Sequence, residues 1–303
     1  MSLSSRKFLP FVSLSFVYCL SFVSPSVQPP LPPQSLEILL TNDDGYNTPG
    51  IQTLRNALIA AGHHVVLVAP SSNRSGSSAS LTLGAVGVQQ IAPDIYAVDG
   101  SPATTVLLGA ANFFPQGGPD LVISGPNEGA NIGPATAISG TVGAATIATS
   151  PIGPRVPAIA ISADLVNPND PGASENIALY NRESDFVVRL IQRLCTTACG
   201  GHLLPEGLAL NVNYPSVAPQ QLAGVKVCVQ GRVSNFQLTY NQVAPGIYAP
   251  SGAPVQNPGD DVNRSDVTAY GQGYVTVVPI DGDLTAAVGQ TFVIGARLHH
   301  LNP

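Results

Sequence analysis

Short apolar runs that end in polar, glycine-containing turns are the feature that most constrains the fold of this chain. Residues 36–41 form one such run, and an Asn-Asp-Asp-Gly turn follows at residues 42–45. Residues 49–62 then carry apolar side chains at helical spacing, and residues 64–69 form a second apolar run. A strand, a helix and a second strand in close succession require parallel strands joined by a crossover. The sequence therefore predicts an α/β fold.

The same pattern continues toward the middle of the chain. Further apolar runs lie at residues 120–124, 157–162 and 208–213, and helix-like segments lie at residues 140–149 and 175–194. Strands that alternate with helices favour a three-layer α/β/α arrangement around a mostly parallel sheet. We therefore predict a Rossmann-like α/β core over residues 36–215.

The pattern of residue types in the sequence changes after residue 215. β-rich segments appear at residues 225–230, 236–240, 273–279 and 291–294, with turn residues between them. Such a pattern is typical of β-hairpins. We expect residues 216–303 to form a β-rich extension that packs on the core.

The N-terminal segment has the composition of a secretory signal peptide. Arg6 and Lys7 precede a short apolar stretch at residues 8–23, and small serines follow it. We expect a signal peptide at residues 1–26, a stiff proline-rich spacer at residues 27–35, and a secreted protein without a stable membrane span after cleavage. An uncleaved signal anchor is the alternative.

Composition and histidine usage exclude several classes of function. A net charge of −6 gives no basic surface for a nucleic-acid scaffold. The five histidines form no HExxH pair, which excludes a zincin-type protease. Carboxylates, amides and hydroxyls must then carry any site, and these oxygen ligands suit Mg²⁺, Mn²⁺ or Ca²⁺.

Three cysteines remain after the signal segment. They are Cys195, Cys199 and Cys228, an odd number. This favours one disulfide and one free thiol. Pairing of Cys195 with Cys199 and a bridge to Cys228 both remain open.

Three polar loops follow the first three strands of the predicted core. They contain Asp43 and Asp44, Ser75, and Asn127. Ligands of open α/β sheets bind beyond the carboxyl ends of the strands, so these loops face one crevice. Two adjacent carboxylates repel each other unless a cation neutralises them, which predicts a metal site. The alternative is an ordinary Asx-type turn.

Ser139, Gly140 and Thr141 open the helix-like segment at residues 140–149. Exposed N–H groups at a helix start bind anions such as phosphate. An ordinary serine N-cap is the alternative interpretation of the same residues. A metal crevice beside an anion site indicates phosphate-ester chemistry.

The motifs in this region resemble those of a known family. The segments that carry the resemblance are Leu39-Leu40-Thr41-Asn42-Asp43-Asp44-Gly45, Asn73-Arg74-Ser75-Gly76, Gly100-Ser101-Pro102-Ala103, Ser124-Gly125-Pro126-Asn127, Ser139-Gly140-Thr141-Val142 and Leu210-Asn211-Val212-Asn213-Tyr214-Pro215. In this order they resemble the SurE survival-protein family of metal-dependent 5′/3′-nucleotidases and acid phosphatases.

The resemblance implies a role for each matched residue. Asp43, Asp44, Ser75 and Asn127 correspond to the ligands of one divalent metal ion. Asn131, Ser139, Gly140 and Thr141 correspond to the phosphate-binding side.

The activity implied is hydrolysis of phosphomonoesters such as nucleoside monophosphates. Asp43, Asp44 and Asn127 form the expected catalytic set: the ion that they hold would supply positive charge to the phosphoryl group and lower the pKa of a water, and Asp43 is the preferred proton carrier. The resemblance also implies a homodimer with an extended hairpin arm and exchanged C-terminal segments, in which residues 216–303 serve as the oligomerisation arm.

Three positions depart from the family pattern, and one of them is Thr104, which replaces a frequent Asp. Glu128 stands where a small, basic or polar residue is usual, and Ile138 stands where tyrosine is frequent. They motivate a second hypothesis, a catalytically inactive secreted metal-binding module of the same fold. A dinucleotide-binding oxidoreductase is disfavoured because no G-x-G-x-x-G follows the first strand.

Overall fold

The computed structural model describes residues 35–114, 117–198, 201–255, 259–285 and 288–299. The predicted signal peptide and residues 27–34 of the predicted spacer lie outside the described residues. The strands are β1 (Glu37–Thr41), β2 (His64–Pro70), β3 (Val88–Ala92), β4 (Ile95–Val98), β5 (Leu121–Glu128), β6 (Ala158–Ala163), β7 (Ala209–Asn213), β8 (Gly224–Val227), β9 (Phe236–Ala244), β10 (Ile247–Pro254) and β11 (Tyr274–Ile280). The α-helices are α1 (Pro49–Ala60), α2 (Pro102–Asn112), α3 (Gly140–Thr149), α4 (Ser174–Thr197), α5 (Asp266–Gly271) and α6 (Val288–Leu298).

One large sheet organises the described part of the chain. Its strand order is β3-β4-β2-β1-β5-β6-β7-β11-β8. The six strands from β4 to β7 are parallel, whereas β3 and β11 run antiparallel to β4 and β7. Strands β9 and β10 form a separate antiparallel hairpin. The predicted three-layer α/β fold with a mostly parallel sheet is confirmed.

The alternation of side chains along the buried strands creates the three layers. In β1, Ile38 and Leu40 point to one face and Leu39 to the other, and all three are fully buried. The first face packs against α1 and α4. The second face packs against α2 and α3. Both faces of the sheet are therefore covered, and the central strands have no solvent-facing side.

The C-terminal segment corrects one expectation. The sequence pattern predicts β structure at residues 291–294, but these residues lie inside helix α6. Residues 291–294 are rich in β-branched side chains, which suggests a strand. Ile294 and Leu298 are four residues apart, however, so residues 291–294 belong to a helical pattern that continues to Leu298. Within the described residues, no helix is long and apolar enough to cross a membrane.

Two of the three cysteines lie in the described residues, and both carry free thiols. They are Cys195 on α4 and Cys228 after β8. A Cys195–Cys228 bridge is therefore absent from this structure. Cys199 lies outside the described residues, and because both described thiols are free, the predicted disulfide is not formed at Cys195 or at Cys228 in this structure.

A buried glutamate interrupts the apolar face of α4. Leu179, Glu183 and Val187 follow each other at four-residue spacing, and all three are fully buried. Neither carboxylate oxygen of Glu183 has a hydrogen-bond partner among the described residues. Burial raises the pKa of Glu183 to about 8. The folded protein therefore holds this side chain in its neutral form at neutral pH.

Replacing Glu183 tests this account of its protonation. The unfolded chain ionises near the ordinary glutamate pKa, so the wild type loses about 1.4 kcal/mol of stability per pH unit between that value and the folded pKa. We expect Glu183→Gln to remove this loss, so that the variant gains unfolding free energy over the wild type as pH rises from 5 to 8. Urea unfolding at several pH values measures the difference. The exposed Glu206→Gln is the control, and parallel pH profiles for wild type and Glu183→Gln would contradict the account.

Candidate active site

The ends of three neighbouring strands bring the predicted site residues to one edge of the sheet. Strand β1 lies between β2 and β5, and Asp43 and Asp44 follow it. The turn after β1 is closed by Asn42, whose amide accepts from the Gly45 N–H at 3.1 Å and donates to the Gly45 carbonyl at 3.0 Å. Because Asn42 closes the turn, neither aspartate is needed for it. Both carboxylates are therefore available to bind a ligand.

Asp43 is held by the start of helix α3. Its carboxylate is almost fully buried, and its Oδ1 accepts a 2.5 Å hydrogen bond from the Thr141 hydroxyl. Burial raises the pKa of Asp43, while the Thr141 hydroxyl and the backbone N–H groups of Gly140 and Thr141 oppose the rise. The positive end of α3 therefore faces this carboxylate.

Asp44 is bound from both sides of β1, by the loop after β2 and by the end of β5. Its Oδ2 accepts from the Glu128 N–H at 3.1 Å, and its Oδ1 accepts from Asn73 Nδ2 at 3.4 Å. Burial, with the charges of Asp43 and Glu128, raises the pKa of Asp44 to about 8. Two adjacent carboxylates thus share a site in which negative charge is poorly compensated.

Ser75 and Asn127 reach the same edge from β2 and β5. Ser75 is exposed, and its N–H donates to Asn73 Oδ1 at 2.9 Å, which links it through Asn73 to Asp44. Asn127 donates its Nδ2 to the Gly129 carbonyl at 2.6 Å. This leaves the Asn127 Oδ1 acceptor without a donor among the described residues. The sequence pattern predicts that Asn127 lies in a loop, but it lies within β5. It follows an irregularity in the pairing of β5 with β6.

The first turn of α3 joins the predicted phosphate side to Asp43. Ser139 caps the helix by accepting from the Val142 N–H at 3.1 Å. Gly140 permits the close approach, because a Cβ there would lie 2.6 Å from Ser77 Oγ and 2.8 Å from Asp43 Oδ2. The buried Ser77 hydroxyl has no hydrogen-bond partner among the described residues.

Asn131, the remaining predicted phosphate-side residue, is buried and anchored to the sheet. Its side-chain Nδ2 donates to Ser162 Oγ at 2.9 Å. Its backbone N–H donates to Asn213 Oδ1 at 2.7 Å. The residue is held in place from β6 and β7.

Two residues at this edge have no role assigned from the sequence pattern. Asn73 bridges Asp44 and Ser75, and the sequence places it only within the matched segment Asn73-Arg74-Ser75-Gly76. Ser77 belongs to a serine-rich loop, and nothing in that loop distinguishes it from its neighbours. Only its packing against Gly140 does so.

Glu128 contacts α4 through its carboxylate, and its charge still raises the pKa of Asp44. Its Oε1 accepts from the Tyr180 hydroxyl of α4 at 3.3 Å. The carboxylate is half-buried and directed toward α4. Glu128 therefore adds negative charge to the surroundings of Asp44, although its Oε1 is engaged by Tyr180.

The chemistry of the donor set fits one hard divalent cation. Two carboxylates, a hydroxyl and an amide oxygen are oxygen ligands of the kind that such ions prefer. Burial raises the pKa of both aspartates, so a cation here would stabilise their charged forms. No group of three or more His, Cys, Asp or Glu side chains within the described ranges is placed to hold a metal. Asp43, Asp44, Ser75 and Asn127 stay predictions as ligands.

Gly140→Ala tests whether the start of α3 and the two aspartates form one site. The added methyl group would collide with Asp43 Oδ2 and Ser77 Oγ and displace the carboxylate. We expect Mn²⁺ affinity, measured by calorimetry, to fall about 10–100-fold. Gly271→Ala, where a Cβ meets open space, is the matched control. Equal Mn²⁺ affinity in both variants would refute the shared site.

Comparison with known proteins shows to which family the chain is related. A family model described as Survival protein SurE matches residues 38–237. A 5′-nucleotidase SurE from Actinobacillus succinogenes is 39% identical over 257 residues, covering 83% of this chain and 94% of that protein. One from Gloeobacter violaceus is 34% identical, covering 86% and 95%. The crystal structure of the Sure protein from Aquifex aeolicus superposes with a TM-score of 0.69 at 32% identity, covering 88% of this chain and 99% of that one. The predicted resemblance is confirmed: the chain belongs to the SurE family.

Proposed function

We propose that the chain is a divalent-metal-dependent phosphomonoester hydrolase that acts on nucleoside monophosphates as a 5′-nucleotidase. The observation that carries the proposal is the approach of the α3 N-terminus to the Asp43–Asp44 pair. An anion-binding helix start and a cation-binding carboxylate pair then meet at one edge of the sheet. The names of the relatives above support the substrate class.

The chain's own residues hold the reacting groups. Asp43, Asp44, Ser75 and Asn127 would hold Mg²⁺ or Mn²⁺. When bound, that ion supplies positive charge to the phosphoryl group. The Ser139 hydroxyl, which accepts from Val142, still has its proton to donate to a phosphate oxygen.

Asp43 is the proton carrier that we favour. Thr141 fixes its Oδ1, while its Oδ2 lies beside Gly140 at the helix start. Asn131 and the N–H groups of α3 would steady the phosphoryl oxygens.

The inactive-module hypothesis receives no support from Glu128. Its carboxylate contacts Tyr180, and only its backbone N–H contacts Asp44. That N–H helps to orient a proposed metal ligand. The departure from the family pattern at this position is therefore compatible with catalysis.

Turnover by the purified chain is the direct test of the proposed activity. We expect hydrolysis of AMP and p-nitrophenyl phosphate with Mg²⁺ or Mn²⁺, and none with a chelator. Asp43→Asn and Asn127→Ala should each lower kcat/KM by about 100-fold or more. Each change weakens a ligand of the metal ion, whose charge stabilises the transition state.

Asp185→Asn provides the matched control for that assay. Asp185 is exposed on α4, and its replacement should leave turnover unchanged. Metal-independent turnover would contradict the proposed mechanism. Absent turnover with intact Mn²⁺ binding would favour the inactive module.

We also propose a homodimer. Apolar side chains are exposed on the β9–β10 hairpin, such as Tyr240 and Tyr248, and on α6, where Phe292 is 76% exposed. Clusters of this kind mark protein interfaces. They fit the hairpin arm and exchanged C-terminal segments that the family resemblance implies.

Charge placed on α6 tests the dimer. We expect Phe292→Asp combined with Ile294→Asp to convert the protein from dimer to monomer, because both side chains are exposed on α6. Light scattering after size exclusion measures the mass. Ile152→Asp, which changes an exposed residue after α3, should remain dimeric. A monomeric wild type would end the proposal.

Export directed by residues 1–26 is proposed from the sequence alone. N-terminal sequencing of the mature chain tests it.

A further inference from the structure

The segment after β5 takes its conformation from side chains of other elements. The N–H groups of Ala130, Asn131 and Gly133 donate to Asp164 Oδ1 at 2.8 Å, Asn213 Oδ1 at 2.7 Å and Asp266 Oδ2 at 3.1 Å. These acceptors follow β6, end β7 and begin α5. Backbone groups outside a strand or helix must find such partners when buried. The place of Asn131 is therefore set from outside its own loop.

Asn213 contacts both backbone polar groups of Asn131. Its Oδ1 accepts from the Asn131 N–H, and its Nδ2 donates to the Asn131 carbonyl at 3.2 Å. Asn211, two residues earlier on the same face of β7, donates to that carbonyl at 2.8 Å. Asn211 and Asn213 are both fully buried, so no water replaces these bonds without rearrangement.

Ser162 binds the side chain of Asn131, whose backbone is bound by Asn213. Its Oγ accepts from Asn131 Nδ2 at 2.9 Å, which orients the side-chain amide. Ser162 is fully buried and pairs directly with Asn213 across β6 and β7. One pair of neighbouring strand residues thus sets both the place and the orientation of Asn131.

We propose that Asn213 and Ser162 are positioning residues for the phosphate-binding side of the site. They touch neither Asp43 nor Asp44, and they act on phosphate only through Asn131. The inference rests on the proposed function, in which Asn131 contacts the phosphoryl group. It predicts that phosphate affinity and metal affinity respond separately to changes in this pair.

Asn176 is a matched control for the loss of a buried asparagine. It is fully buried on α4, accepts from the N–H groups of Val166 and Asn167, and donates to the carbonyls of Asn167 and Asp170. It makes the same kind of bonds as Asn213, but to a loop without predicted site residues. Asn176→Ser therefore reports the cost to stability alone.

The experiment compares full-length Asn213→Ser, Ser162→Ala and Asn176→Ser with the wild type. Calorimetry gives the Kd for Mn²⁺, and then the Kd for orthophosphate in saturating Mn²⁺. Turnover of AMP gives KM and kcat, and thermal melting gives Tm. Hydrogen exchange of the peptide containing residues 129–133 reports the loop itself.

We expect Asn213→Ser to raise the Kd for orthophosphate and the KM about tenfold or more, with unchanged Mn²⁺ affinity and faster exchange of the loop. Ser162→Ala should raise the same Kd by less. Asn176→Ser should lower Tm and leave both affinities unchanged. If Asn213→Ser does not fold, Ser162→Ala, which only removes one oxygen, decides the question.

Three results separate the possible failures. If the wild type binds orthophosphate and hydrolyses AMP, and Asn213→Ser and Ser162→Ala match it, this inference alone is overturned. A loss of phosphate affinity in Asn176→Ser equal to that in Asn213→Ser also overturns it, because the effect is then general instability. A wild type that binds no orthophosphate and hydrolyses no ester overturns the proposed function and this inference together.

Discussion

The burial of two adjacent carboxylates against the start of a helix is the constraint on which the rest of the site depends. Asp43 follows β1 and lies against the start of α3, where the Thr141 hydroxyl donates to its carboxylate. Gly140 makes that approach possible because it has no side chain. The cost is the removal of negative charge from water, which the raised pKa of both aspartates expresses. A cation at this position offsets that cost.

The order of strands explains why this pair is reached from several directions. β1 is central, with β2 on one side and β5 on the other. The loop after β2 supplies Asn73 to Asp44, and the end of β5 supplies the Glu128 N–H. Further along the sheet, β6 and β7 hold Asn131. The parallel core thus delivers one set of residues to the carboxylates and another to the phosphate side.

Much of this arrangement is predictable from local sequence, and the reasons are physical. Apolar runs alternate with helical segments, so a parallel sheet follows, and the carboxyl ends of its strands must share an edge. Local sequence therefore suffices to assign Asp43, Asp44, Ser75 and Asn127 to one region of the fold. The short β-branched run at residues 291–294 fails as a predictor because it is equally consistent with a helix.

Other features depend on contacts between residues far apart in the chain. Asn213 lies 82 residues from Asn131, and no spacing rule connects them. Glu183 occupies a position of α4 that the helical pattern reserves for an apolar side chain, and only the packed structure shows that it is buried. The amide of Asn73 is visible in the sequence, but its contact with Asp44 appears only when the loop folds back across β1.

Anomalous diffraction from a crystal grown with Mn²⁺ and orthophosphate tests the central claim most directly. The account predicts one manganese peak within about 2.0–2.6 Å of oxygens from Asp43 and Asp44, with phosphate density at the start of α3. A manganese peak away from both aspartates, or phosphate bound far from Gly140 and Thr141, would contradict it.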